Sequence, residues 1–196
     1  PLTRLKLRIE DLGNPELGRA MTADIADLEQ MIEATLSYLK GQSQEETPRQ
    51  LDLSALLETL ADEASDLGQS VDVDMPNHVV VRARRVGLKR AFSNLIQNAV
   101  KYGERARITA EEIGGEVRVH IDDDGPGIPS DKLAAVLEPF VRLETSRSRE
   151  TGGVGLGLTI AKANIEADGG RLSLVARAQG GLRATVVLPV ARGNNL

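Results

Sequence analysis

The stretch Gly152-Gly153-Val154-Gly155-Leu156-Gly157, followed by the helical pattern Leu158-Thr159-Ile160-Ala161-Lys162, constrains this chain more than any other. Four glycines in six residues strip away side chains, so that backbone N–H groups can approach another molecule closely. The helix that follows adds unpaired N–H groups and the positive end of its dipole, a combination that suits an anion. A glycine run that merely lets a loop bend is the other reading. Two familiar phosphate motifs are excluded by spacing. The dinucleotide fingerprint needs G-x-G-x-x-G directly after a strand, and a P-loop needs G-K-[ST] where this chain has Leu158-Thr159.

Two further segments carry chemistry. In NLIQNAVKYG, the residues Arg90, Asn94, Asn98 and Lys101 form a polar stripe opposite an apolar helix face of Leu88, Phe92, Leu95, Ile96, Ala99 and Val100. Such a stripe can simply face water. Two asparagines inside a helix are nevertheless poor helix formers, and amide oxygens suit Mg²⁺ shared with substrate phosphates. In VRVHIDDDGPGIP, strand alternation puts Val117, Val119, Ile121 and Asp123 on one face and Arg118, His120, Asp122 and Asp124 on the other. An apolar face therefore ends in an inward carboxylate, which needs a partner; a ligand amino group is one candidate. Gly125 and Gly127 let the chain turn beneath a flat ring, although an Asp-Gly turn alone would use the same residues.

The rest of the chain frames these segments. Residues 1–12 read as a helix stopped by Gly13, and Asn14-Pro15 caps a second helix to Lys40. Met21, Ile25, Leu28, Ile32, Thr35 and Leu39 form a heptad seam, to be buried in a four-helix bundle by a second copy or else against the rest of this chain. The polar run GQSQEETPRQ at 41–50 reads as a linker. A helix capped by Asp52 follows over 53–67, with strands at Val71–Met75 and His78–Ala83. Hairpins turn at Gly114-Gly115 and Gly180-Gly181, which predicts an α+β sandwich. No run approaches the length of a membrane span, no N-terminal apolar segment here resembles a signal peptide, and there are no cysteines for disulfides or thiolate metal sites. A net charge of −5 and only four aromatic residues (Tyr38, Phe92, Tyr102, Phe140) argue against nucleic acid as a partner.

In this order, the segments resemble the cytoplasmic catalytic core of bacterial sensor histidine kinases, most closely the EnvZ-type osmosensors. Asn94–Gly103 is similar to the family's asparagine box, Asp123–Pro129 to its first glycine box, Glu138–Arg142 to its F box and Gly153–Leu158 to its second glycine box. The segment 180–189 resembles the closing strand. The resemblance implies a helical hairpin (dimeric four-helix bundle) over residues 1–42, a linker over 43–51, an ATP-binding α/β sandwich of the GHKL (Bergerat) type over 52–191, and a tail at 192–196.

It also implies roles. Asn98 would hold Mg²⁺, Asn94 and Lys101 would meet phosphates, and Tyr102 would lie along the nucleotide. Asp123 would accept from the adenine amino group, with Gly125, Gly127 and Ile128 at the ring and Thr185 on the closing strand. The backbone of Gly153, Gly155, Leu156, Gly157 and Leu158 would wrap the triphosphate of ATP. Between Phe140 and Gly153 an ATP lid would carry Arg142, Arg147 and Arg149 to meet phosphate. The implied partners are a second copy of the chain through residues 1–40 and the receiver domain of a response regulator, in the cytoplasmic part of a membrane sensor. The family's acceptor histidine is expected before Pro1, because His78 opens a strand and His120 faces outward on its own. Two alternatives stand beside the kinase, a related ATPase and a nucleotide-binding regulatory module without transfer activity. The ATPases place a glutamate one turn before the metal-binding asparagine where this chain has Asn94, and the complete motifs count against the module.

Overall fold

The structure, a computed structural model, describes residues 46–143 and 155–191 together with Gly18, Met21, Thr22, Ile25 and Ile32. Those five are helical, with Thr22 Oγ1 donating to Gly18 O at 2.9 Å. The seam position Ile25 is buried and Ile32 is exposed. The remainder of the expected hairpin, the tail, Arg147, Arg149 and Gly153 lie outside the described residues.

Strand β1 (Arg49–Asp52) runs straight into helix α1 (Leu53–Asp66). Asp52 ends the strand and caps the helix, accepting Ala55 N–H at 3.1 Å, and its other oxygen meets His78 Nδ1 at 3.0 Å. The capping amide bond, followed by the bond to His78, holds the Asp52 pKa below the usual carboxylate range. Strands β2 (Ser70–Asp74) and β3 (Val80–Ala83) follow, and β3 pairs antiparallel with β1. The expected linker is therefore shorter at its C-terminal side: residues 49–51 are sheet, and Leu51 is buried in the core. The polar composition hid one apolar residue that the pairing buries. His78 likewise precedes the strand it was expected to open, in a turn with a positive φ of 59°.

Helix α2 (Arg85–Gly103) leads to the hairpin of β4 (Arg105–Ile113) and β5 (Glu116–Asp123). After two short 3-10 turns, at Ser130–Lys132 and Ala135–Leu137, come helix α3 (Gly157–Ala167) and the hairpin of β6 (Arg171–Ala176) and β7 (Leu182–Pro189). The main sheet has the order β2-β4-β5-β7-β6; β2 and β4 are parallel and the other pairs antiparallel. This is the α+β sandwich expected.

The alternation of β5 decides which face is covered. Val117, Val119 and Ile121 are buried, with Ile108 of β4, Val186 and Leu188 of β7, and Phe92 of α2 in the same core. Truncating Phe92, which has no exposed surface, would cost about 3–5 kcal/mol. The opposite face carries His120, which meets Thr185 Oγ1 at 3.0 Å, and Asp122, which takes both arms of the Arg183 guanidinium at 2.7 and 2.6 Å. Burial, and next the charge of Arg183, holds the His120 pKa below its ordinary value.

One ion pair ties the entry of the domain to both helices of the site. Arg84 Nη1 donates to Asp168 Oδ1 and to Ala167 O, each at 2.7 Å, at the C-terminal end of α3. Its Nε donates to Glu46 O at 3.0 Å, and the Glu46 carboxylate accepts Val86 N–H at the start of α2.

Candidate functional site: an enclosed carboxylate and an uncapped helix

At one end of the site stands Asp123, the last residue of β5 and only 7% exposed. Its Oδ1 accepts the N–H of Gly125 at 2.9 Å and, across the sheet, the N–H of Leu182 at 3.1 Å. Among the described residues no hydrogen bond to Oδ2 is found. Burial pushes the Asp123 pKa up, against the two amide bonds and the charge of Arg177 that favour the anion. A buried carboxylate with an oxygen to spare is a hydrogen-bond acceptor waiting for a donor.

Three glycines from three elements close on this residue. A Cβ on Gly103, the last residue of α2, would lie 2.6 Å from Asp123 Cβ. One on Gly125 would overlap Tyr102 O, and one on Gly181 would overlap the Asp123 carbonyl. The helix end, the strand end and the β6–β7 turn thus meet backbone to backbone. Because Gly103 is spent on this contact, the left-handed position that ends α2 falls to Glu104 (φ 63°), whose N–H bonds Val100 O. Gly127 turns at φ 73° over Gly181, and Ile128 packs against the core.

Helix α2 runs from this end of the site toward the other. Asn94 and Asn98 are half-buried along it, while Lys101 and Tyr102 are exposed, with Lys101 Nζ 5.4 Å from the Tyr102 ring centroid. Beside these last residues lies an open cavity of about 630 Å³, lined by Tyr102, Gly103, Arg105, Asp124, Gly125 and Pro126.

The other end is built by α3. Gly155 (φ 74°) brings its carbonyl to Phe140 N–H at 3.1 Å, where Phe140 itself is left-handed (φ 64°) and 60% exposed. Thr159 Oγ1 donates to Leu137 O at 3.1 Å, fixing the first turn of α3 on the preceding segment. Leu156 is buried and supplies no side-chain cap. Among the described residues no side chain caps the first turn of α3, whose leading N–H groups have no partner within the helix itself. Its first residue, Gly157, lies against Asn94, and further along Gly87 of α2 lets Asn164 of α3 approach closely. Leu158 is partly buried against the core, and Arg142 lies in irregular chain beyond Phe140.

The structure thus gathers Tyr102, Asp123, Gly125 and Gly127 at one end, and Asn94, Phe140, Gly155, Leu156 and Gly157 at the other. Thr185 does not join them. It pairs with His120 on the far face of the sheet, and strand alternation puts Leu182, three residues earlier, beside Asp123. Sequence reasoning missed Leu182, Gly103, Gly181 and Arg177. The Gly180-Gly181 pair was visible but reads equally well as an ordinary hairpin turn.

An inward carboxylate, a stripe of helical amides and an uncapped glycine-rich helix, set on a five-stranded mixed sheet, define a nucleotide-binding α+β sandwich. The chain belongs to the family described as histidine kinase-, DNA gyrase B-, and HSP90-like ATPase, which matches residues 83–192. Within it, the chain has the catalytic core of a bacterial sensor histidine kinase. It is 38% identical to the sensor histidine kinase GtrS of Pseudomonas aeruginosa over 96% of this chain and 39% of that protein. The chain thus spans about two fifths of this relative's length. The solved histidine kinase domain of the E. coli osmosensor EnvZ superposes with a TM-score of 0.60 at 28% identity, covering 78% of this chain and 95% of that one. Full-length ShkA, solved in complex with AMPPNP, has the same fold, with a TM-score of 0.72 at 24% identity over 91% of this chain and 39% of that one.

Proposed function

We propose that this chain binds Mg²⁺·ATP and, within its whole protein, passes the γ-phosphoryl to a histidine of a helical hairpin and from there to an aspartate of a response regulator. The observation that carries the reading is the distribution of chemistry along α2. Asp123 at one end offers an acceptor to an adenine amino group. The leading N–H groups of α3 at the other end, with no side-chain cap among the described residues, would offer donors to a phosphate tail. Asn98 Oδ1 would hold the metal between them, with Asn94 and Lys101 near the phosphates. Bound there, the ion would supply neutralisation of phosphate charge. The chain itself supplies placement, which is most of what phosphoryl transfer demands.

His78 and His120 are not acceptors in this reading. His78 sits in an exposed turn bonded to Asp52, and His120 is bonded to Thr185 on the face away from Asp123. Asn94 occupies the position from which an ATPase of this fold would activate water, and an amide is no base at neutral pH. A second copy of the chain, joined through residues 1–40, a receiver domain and a membrane-anchored sensor complete the proposal.

The test is γ-labelled ATP with the whole protein. Acid-labile, base-stable phosphate should form on a hairpin histidine and none on His78 or His120. Rapid ADP release with the acceptor histidine replaced by glutamine would move the protein to the ATPase branch.

A further inference from the structure

The β6–β7 turn carries one side chain whose contacts all converge on the three consecutive aspartates of β5. Arg177 opens that turn. Its N–H bonds Gly181 O and its carbonyl accepts Gly180 N–H, both at 3.1 Å, so the backbone beneath it is closed on both sides. From there Nη1 donates to the Asp123 carbonyl at 2.5 Å and to Asp124 Oδ1 at 2.9 Å, while Nε lies 3.8 Å from Asp122 Oδ2. The Arg177 side chain is 16% exposed and its bond to the Asp123 carbonyl is part-buried, whereas Asp124 is 43% exposed, so the carbonyl bond is the sheltered one.

The location gives the bonds their meaning. The β5–β7 ladder ends at Asp122 and Arg183, one residue before Asp123. Past that point, on the β7 side, Asp123 is held by Leu182 N–H on its carboxylate and by Arg177 on its carbonyl. We propose that Arg177 is a positioning residue of the base site: it fixes the strand end from which Asp123 reads the nucleobase, and with it nucleotide affinity and selectivity. This rests on the ATP-site reading above.

Its charge adds a pH signature. The ionisable groups around Asp123 are Asp122 and Asp124 on its own strand, Arg105 of β4 (bonded to Asp124), Arg177 and Arg183 from the β6–β7 side, and Lys101 and Tyr102 at the end of α2. Arg177 favours the ionised form of Asp123 and burial opposes it. Without Arg177, protonation of Asp123, and the loss of ATP affinity that follows, should begin at a higher pH.

Calorimetric titration of ATP into the 196-residue chain across pH tests this. Arg177→Gln should weaken ATP by about ten-fold, the scale of one bond to a charged partner. It should also move the acid fall-off of affinity upward, with the melting temperature little changed. Arg177→Lys keeps the charge but not the fork, so it should restore the wild-type pH profile and only part of the affinity. Unchanged affinity in either variant overturns the proposal. A weaker Arg177→Gln whose pH profile matches wild type also overturns it, because that loss would be structural. If Arg177→Gln does not fold, the Arg177→Lys titration decides alone. A wild-type chain that binds no ATP sinks the ATP-site reading itself and is distinct from all these results.

Discussion

The position a Cβ would take on Gly157 lies 3.8 Å from Asn94 Oδ1, an ordinary van der Waals distance with no nearer neighbour. The backbone of Gly157 is helical, not left-handed. Neither conformation nor crowding by the described residues therefore requires glycine here, in contrast to Gly103, Gly125 and Gly181. In the proposed reading that space beside Asn94 would take the phosphates.

Gly157→Ala should accordingly separate stability from binding. The fold should melt at the same temperature or higher, because alanine in a helix is favoured over glycine by roughly 0.5–1 kcal/mol. ATP affinity, measured by calorimetry, should fall as the methyl group intrudes on the phosphate path. Equal affinity would mean that the phosphates do not pass there.

Asn98→Ala removes a half-buried helical amide whose assigned duty is to the metal. Alanine is the better helix former, so thermal stability should hold or rise by a few tenths of a kcal/mol. The Mg²⁺-dependent part of ATP binding should vanish. If a titration of ATP with and without Mg²⁺ shows the same metal enhancement as in wild type, Asn98 is not the ligand.

Asp123→Asn sets a cost against a gain. The Asp123 pKa is raised by burial, so its ionisation opposes folding once the pH rises through the folded value; at neutral pH the buried charge is a burden on the empty domain. The amide oxygen can still accept from Gly125 and Leu182. The unliganded variant should therefore be more stable than wild type at pH 7, with the difference closing in acid, while ATP binds about 1–3 kcal/mol more weakly. Chemical denaturation at several pH values, with and without ATP, reads both effects.

Much of this site was legible before the structure, for stated physical reasons. Period-two alternation through Val117, Val119 and Ile121 put Asp123 inside, and it is inside. The apolar stripe of α2 turned Asn94 and Asn98 away from the core, and both hairpins turn where their glycine pairs stand. The failures share one cause: they depend on register between strands distant in sequence. Which residue of β7 faces Asp123 follows from the pairing of His120 with Thr185, and no local pattern announces it. The reach of Arg177 across to β5 is hidden in the same way. The pairing of residues 49–51 with β3 was masked by a polar composition that reads as linker.

Asp122 sits on the other face, and its sign is opposite. Burial alone would raise its pKa, but the Arg183 fork and the charges of Arg183 and Arg177 outweigh it and hold the pKa below the usual range. The pair therefore contributes stability above the ordinary carboxylate pKa, and that contribution is lost as pH falls through the lower folded value. Asp122→Asn should lower stability at pH 7 by about 1 kcal/mol, a modest figure because Arg183 is itself well exposed. The gap to wild type should narrow toward acid. A gap independent of pH would show that the loss is packing and not the ion pair.

If Asp123 reads a base in a site whose far end holds phosphates, the affinities of the wild-type chain for ATP and for GTP with Mg²⁺ present must differ. An adenine presents an amino group to the free side of the carboxylate, whereas a guanine presents a carbonyl oxygen there, acceptor against acceptor. ATP should bind saturably and GTP more weakly by at least about ten-fold, the usual cost of leaving a charged acceptor without its donor. Equal affinities for the two nucleotides, or no binding of either, would contradict it.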